Sequence, residues 1–268
     1  MIRHQPARQV IHPSAQIDPS AVLETGVTVG PFAIIEAGAR LGKGCSISAY
    51  AIIKRGAILG DEVKVDHFAV IGGDPQDLGF DPKIVSRVEV GARTVIREHV
   101  TIHRATQANQ ATLIGADGLL MAGSHVAHDC ILGKAVILAN GCMLGGHVQV
   151  GDSAFISGGV AVHQFCRIGA GSLTSGNAVI TEDVPPQALA YGRNELAGLN
   201  LIGLRRRLIS AESVAELKRA YHHVYSPGTT CSTQAQLAIH SGEYQSPEAL
   251  AFLHFFLGGK RGRFASPA

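Results

Sequence analysis

Residues 121–130 read MAGSHVAHDC and set two histidines, His125 and His128, three apart among small and apolar neighbours. A histidine in such a stretch can be a packed core residue, a metal ligand or a proton-transfer group, because its unperturbed pKa lies close to neutrality. His147 and His163 follow His128 at 19 and 35 residues, and Gln164 at 36. Three histidines can hold zinc with one position open to water, provided their nitrogens converge to about 2 Å from one ion. The direction of each side chain decides among these chemistries, and that direction is set by the element carrying it.

The element announces itself as a six-residue period. From Ile11 the steps fall on Ile17, Leu23, Val29, Ile35, Leu41, Ile47, Ile53, Leu59, Val65 and Ile71, all aliphatic. The residue four places after each of the first ten is small, from Ala15 and Ala21 through Cys45 to Ala69. The register slips across 72–89, resumes at Val90, Ile96 and Ile102, and slips again in HRATQANQATL. From Ile114 it runs to Ile180 with a single threonine, Thr174. One inward aliphatic and one inward small residue per repeat predict a parallel β-helix, a triangular prism with three short strands per coil. Successive coils should lie about 4.8 Å apart, the ordinary interstrand distance. Gly115, Gly133 and Gly151 suit corners where positive φ helps. Polar residues such as Asp74, Gln76 and Asp77 cannot fill the narrow interior unpaired, so the two interruptions must leave as loops.

After EDVPP at 182–186 the pattern becomes helical. Ser210 reads as an N-cap before a helix over Ala211 to Tyr225, and Ser246 with Pro247 opens another that Gly258 ends. A third is expected over Gln234 to Ser241. The expected organisation is a parallel β-helix over 1–190, with loops near 73–88 and 103–112, followed by a small α-helical domain over 191–268.

Composition suits this narrow, repetitive architecture, with 32 glycines, no tryptophan and 5% aromatic residues. A net charge of +2 is too small to argue for nucleic acid, although Arg205, Arg206 and Arg207 form either a solvated helix face or a site for phosphate. The opening MIRHQPARQV lacks the apolar core of a signal peptide, and no stretch approaches the roughly 18 apolar residues of a membrane span, so a cytoplasmic protein is expected. Cys45, Cys130, Cys142 and Cys166 all occupy the small inward slot and read as reduced core residues rather than disulfide or thiolate ligands.

The period turns all four histidines outward. His125 is fifth after Leu120, His128 second after Val126, His147 third after Leu144 and His163 first after Val162. With 18 residues per coil, 19 and 35 each miss a whole number of coils by one. The imidazoles of His128, His147 and His163 are therefore expected to stack along one edge, on a surface about 10 Å tall. A ladder spreads ligands apart, so no metal is expected; a zinc hydratase and a non-catalytic scaffold stand as alternatives.

GGDPQDLGF, VTIHRAT, SHVAHDC, LGGHVQVGD, VAVHQFCRIG, EDVPP and GLNLIGLRRR occur in this order along the chain. Together they resemble, over about its whole length, the acyl-(acyl-carrier-protein)–UDP-N-acetylglucosamine O-acyltransferases that begin lipid A synthesis. The resemblance implies a left-handed prism. It also implies transfer of an (R)-3-hydroxyacyl chain from acyl carrier protein to the sugar 3-hydroxyl. His128 matches the general base, Asp129 the residue that orients it, and Gly146 the position whose backbone N–H meets the oxyanion. Neighbours on a strand point to opposite faces, so Asp129 can serve His128 only at a corner.

Gln76, Asp77, His125, His147, His163 and Gln164 match contacts to the nucleotide sugar or acyl chain. Asn200, Arg206 and Arg207 match residues near the diphosphate and acyl donor. Gly176 matches a position that sets acyl-pocket depth, and its missing side chain implies a long chain. Asn194 stands where some members carry a histidine beside that pocket. The resemblance further implies no metal and no cofactor beyond the phosphopantetheine of the carrier, and a homotrimer with sites between prisms. The acidic carrier protein would be drawn to Lys and Arg on the helical domain. An N-acyltransferase on an amino-sugar nucleotide, or on the 3-amino analogue, is the nearest alternative.

Overall fold

The structure is a computed structural model that describes residues 10–259 and 262–267. Residues 1–9, which carry most of the stretch read for a signal peptide, lie outside the described residues. Short strands, mostly of two residues and six apart, begin at Val10–Ile11 and assemble, among the described residues, into three sheets of 12, 9 and 8 strands, parallel throughout except for one hairpin at the end of the first. Each strand pairs with the one a whole coil above, as in His125 with Met143 and Val126 with Leu144. The coils wind left-handed, as the resemblance implies.

The two linked slots of the repeat are the core. Ile35, Ile53, Ile71, Ile96, Ile102, Leu120 and Leu138 are all 0–1% exposed, and so are the small partners Ala33, Ala51, Ala69, Val100, Cys130 and Cys142. Burial pushes the thiols of Cys130 and Cys142 up to about 12, which keeps them protonated and unreactive. Three edges separate the sheets. The first–second edge carries residues such as 121–124, the second–third edge 127–130, and the third–first edge 133–136.

Gly115, Gly133 and Gly151 do sit at corners, on the third–first edge, but none of them has positive φ. Close approach requires them: a Cβ on Gly151 would lie 2.5 Å from the Ala170 nitrogen of the next coil. The left-handed positions come two residues later, at Asp117 (φ 62°), Ala135 (φ 54°) and Ser153 (φ 57°).

Both interruptions leave the prism at the second–third edge. The first loop, 74–86, joins the strands Val70–Gly73 and Arg87–Val90. The second, 104–110, joins Thr101–His103 and Ala111–Ile114. They therefore emerge on the same edge as His128, two coils and one coil below it.

The first helix begins at Leu201, ten residues beyond the expected start of the helical domain at 191. A hairpin of Ala188–Tyr191 and Glu195–Leu199 continues the first sheet, and the helices begin only after Asn200. They are α1 (Leu201–Arg206), α2 (Ala211–Val224), α3 (Cys231–Ser241) and α4 (Pro247–Phe255). Ser210 caps α2 by accepting from the Ser213 N–H, and Ser246 caps α4. The short α1 was invisible to periodicity because six residues hold less than two turns.

Arg167 ties this domain to the prism. It bonds the buried Asp183 carboxylate at 2.7 Å and the Phe255 and Gly258 carbonyls at 3.0 and 2.7 Å, with its guanidinium over the Phe255 ring. Among the described residues no helix is long and apolar enough to cross a membrane.

Candidate active site

The second–third edge gathers the site. Eighteen-residue coils place His128, Gly146 and Gln164 in one column and Asp129, His147 and Phe165 in the next. Asp129 has φ 60°, and this left-handed turn brings its carboxylate round to the imidazole of its own neighbour. His128 Nδ1 lies 2.8 Å from Asp129 Oδ2. An ionised carboxylate only accepts, so Nδ1 carries the proton and Nε2 presents a lone pair. The corner that the sequence demanded is thus present.

Asp129 is itself held. Thr106, on the second loop, donates its backbone N–H at 3.2 Å and its hydroxyl at 2.7 Å to the carboxylate. Burial pushes the Asp129 carboxyl up, but the bonds from Thr106 and His128 outweigh it and hold the group below the usual carboxylate range. Sequence reasoning missed Thr106. It stands in the VTIHRAT segment, but its bearing on Asp129 appears only when the loop returns to the next coil.

The expected stack of three imidazoles is corrected. His128 and His147 meet edge to face at 5.2 Å, and the parallel partner of His147 is Phe165, at 4.6 Å. The off-by-one spacings place His147 and His163 in the columns to either side of His128 rather than in its own. His163 is exposed, with Nδ1 3.1 Å from the Gln164 carbonyl.

His128, Asp129 and His147 do bring one donor atom each within 4.8 Å of one another. Yet His147 Nε2 is 3.6 Å from Asp129 Oδ2, and both carboxylate oxygens already accept from Thr106. The cluster fits an oriented base better than a zinc cage, whose ligands must point freely at one ion.

Gly146 is packed against the base. A Cβ there would fall 2.5 Å from Cε1 and 2.7 Å from Nε2 of His128. The absence of a side chain gives the imidazole its place and leaves the Gly146 N–H beside it. Among the described residues that N–H donates to no carbonyl or side chain.

His125 faces outward on the second sheet, half-buried, with Nδ1 2.7 Å from Thr101 Oγ1. Burial, then the nearby His128, pushes its pKa down. Above it the same outward row continues through Met143, Ala161 and Val179, an apolar strip in which Met143 is 51% exposed. This strip runs alongside the first–second edge, and Gly176 sits on that edge in the coil of Val179, with only the Gly158 carbonyl within 4 Å of a would-be Cβ.

His103 is a second residue that sequence reasoning missed. It is 8% exposed, packs edge-on against His125 at 4.7 Å, and its Nδ1 has no partner among the described residues. Burial, helped by His125 and His128, pushes its pKa down to about 4. The unfolded chain, with an ordinary histidine pKa near 6.5, then binds the proton more readily than the folded one. This contribution to stability is full above about pH 6.5 and is lost as the pH falls toward 4. Unfolding free energy should drop by on the order of 3 kcal/mol across that window on account of this residue. The measurement is urea unfolding at several pH values; a His103→Phe variant with the same pH slope as wild type would remove the assignment.

The remaining candidates are dispersed. Gln76 and Asp77 are exposed at the tip of the first loop, where Asp77 Oδ1 accepts from the Gly79 N–H at 2.8 Å. Asn200 caps α1, accepting from the Gly203 N–H at 2.9 Å and donating to the Gly171 carbonyl at 3.0 Å, and is 7% exposed. Both of its polar ends are thus engaged within the chain. Arg207 bonds Gln187, and burial pushes its pKa down, whereas Arg206 is exposed. Asn200 and Arg207 lie over the third–first edge and Gly176 on the first–second edge, so neither group shares an edge with His128. Asn194 does not stand free as a substitute for a histidine. With φ 62° it anchors the hairpin, Oδ1 accepting from Thr181 and Glu182 N–H groups and Nδ2 donating to Thr181 Oγ1.

Residues 183–264 match the family model described as UDP N-acetylglucosamine O-acyltransferase, domain 2. The chain is 51% identical over 220 residues to an acyl-(acyl-carrier-protein)–UDP-N-acetylglucosamine O-acyltransferase of Alkalilimnicola ehrlichii, covering 81% of this chain and 85% of that one. It is 42% identical over 248 residues to the protein of the same name from Janthinobacterium sp., covering 91% and 93%. Among solved structures, a UDP-N-acetylglucosamine acyltransferase from Bacteroides fragilis superposes with a TM-score of 0.89 at 36% identity, over 94% of this chain and 99% of that one.

Proposed function

This chain belongs to the acyl-(acyl-carrier-protein)–UDP-N-acetylglucosamine O-acyltransferase family, and from that premise we propose that His128 is the base of its reaction. The reaction moves an (R)-3-hydroxyacyl chain from acyl carrier protein to the 3-hydroxyl of UDP-N-acetylglucosamine, the first step of lipid A biosynthesis. The observation that carries the assignment is the 2.8 Å bond from His128 Nδ1 to Asp129, which leaves Nε2 facing the space that Gly146 keeps open.

Nε2 takes the hydroxyl proton as the sugar oxygen attacks the thioester carbonyl. The negative charge that builds on the carbonyl oxygen meets the Gly146 N–H. Collapse breaks the carbon–sulfur bond, and the imidazolium returns its proton to the departing carrier thiolate. Asp129 stabilises that imidazolium, and Thr106 keeps Asp129 in place. A thioester is already an activated acyl donor, so these steps call for no metal.

The acyl chain lies along Met143, Ala161 and Val179 toward Gly176, with His125 at its near end. His147, His163 and Gln164 line the corner beside the base, and Gln76 and Asp77 reach the nucleotide sugar from the first loop. Exposed Arg206 meets phosphate, while Asn200 and Arg207 hold α1 in position. Groups on three different edges of one prism can meet around a single substrate only when prisms stand side by side. A homotrimer with sites between subunits satisfies this, and a donor borne on a carrier protein supports a cytoplasmic reaction.

The test incubates the protein with UDP-N-acetylglucosamine and a series of 3-hydroxyacyl carrier proteins, and reads products by mass spectrometry. An ester on the sugar is expected. No acylated sugar at any chain length would overturn the reading, and product only from the 3-amino analogue would replace it with amide formation.

A further inference from the structure

Arg104 heads the second loop, yet its side chain serves the first. Only 11% of that side chain is exposed. Its Nε donates to Asp74 Oδ1 at 2.7 Å, Nη2 to the Pro82 carbonyl at 3.0 Å, and Nη1 to the Ile84 carbonyl and, at 3.3 Å, to Ser86 Oγ. The guanidinium also lies 4.8 Å from the centre of the Phe80 ring, and the Arg104 N–H bonds the Gly73 carbonyl at 2.9 Å. One planar fork therefore touches the loop at its root, along its middle and at its return, a set of directions that only guanidinium can supply.

The loop has little else to fix it. It contains no strand or helix, and the turns at its tip are internal, from Asp77 to Gly79 and Phe80 and from Asp81 to Lys83 and Ile84. Its returning end is tied to the second loop by Ser86 Oγ to the Ala105 carbonyl at 2.5 Å and by the Asn109 N–H to the Val85 carbonyl at 2.8 Å. Two residues beyond Arg104, Thr106 grips Asp129. A single short segment thus holds the outer loop on one side and the carboxylate that orients His128 on the other.

We propose that Arg104 is a positioning residue that fixes the outer loop 74–86 against the His128–Asp129 pair and thereby sets the affinity for the nucleotide sugar. The kinetic half of this rests on the reading that Gln76 and Asp77 contact that substrate. Ammonium cannot reproduce the fork, so Arg104→Lys and Arg104→Met are expected to behave alike.

The experiment pairs steady-state kinetics with amide hydrogen exchange on the full-length protein. In both variants KM for UDP-N-acetylglucosamine should rise about tenfold or more, with kcat within about threefold of wild type. Amides of 74–86 should exchange faster, while the strands His125–Val126 and Met143–Leu144 keep their protection. If Arg104→Met fails to fold, Arg104→Lys and Asp74→Asn carry the test. Unchanged exchange in the loop overturns the proposal, and so does a fall in kcat with KM fixed. Faster exchange with unchanged KM upholds the clamp and overturns the assignment of Gln76 and Asp77 to the nucleotide sugar.

Discussion

Replacing His128 by glutamine is expected to lower kcat by about 10²- to 10⁴-fold, the range that a positioned general base contributes. Glutamine keeps a polar group in the slot but has no lone pair that can take up a proton at neutral pH. KM for the nucleotide sugar should change little, because the imidazole matters most as the proton moves. Asp129→Asn should approach the same loss by a different route. An amide can donate its N–H to Nδ1, which would place the imidazole proton on Nε2 and present the wrong tautomer to the substrate hydroxyl. The fold should survive both changes, since His128 and Asp129 lie outside the inward slots that make the core. Steady-state rates with mass-spectrometric product detection, alongside thermal unfolding, check this. Near wild-type turnover in His128→Gln would sink the assigned base while leaving the family membership untouched.

The inward residues were legible because each repeat states the same constraint again, and a register tested more than twenty times is hard to misread. The outward residues are governed by backbone details that no period reports. Spacings of 19 and 35 put His147 and His163 on the right edge, but a single residue at a corner is a whole column, so His147 meets His128 edge to face and stacks on Phe165 instead. Asp129 and Asn194 owe their bearing to positive φ, which the sequence does not show for non-glycine residues. Asn200, which the resemblance sets near the diphosphate, also caps α1, a role that the sequence hides because a six-residue helix shows no period. Thr106, His103 and Arg104 act across turns of the solenoid, on partners 23, 22 and as many as 30 residues away. Such contacts follow from where two irregular loops return to the prism, and the repeat ceases to predict at those two places.

A methyl group on Gly146 should cost about 10²-fold in kcat while leaving the fold nearly intact, and this asymmetry is what separates a site glycine from a corner glycine. The φ of Gly146 lies outside the left-handed region, so the backbone tolerates alanine. The three nearest atoms to the new Cβ all belong to the His128 ring, at 2.5, 2.7 and 3.1 Å. A side chain can swing away, so the strain is relieved by displacing the imidazole, and a shift of about 1 Å in a reacting group can cost about 10²-fold in rate. The neighbouring Gly145 makes the control. Its Cβ would lie 2.7 Å from the Gln164 backbone nitrogen, which cannot move without opening the coil. Gly145→Ala should therefore lower the unfolding temperature, whereas Gly146→Ala should keep it and lose turnover. Wild-type turnover in Gly146→Ala would mean that the His128 ring, as placed against this glycine, is not the position from which the proton is taken.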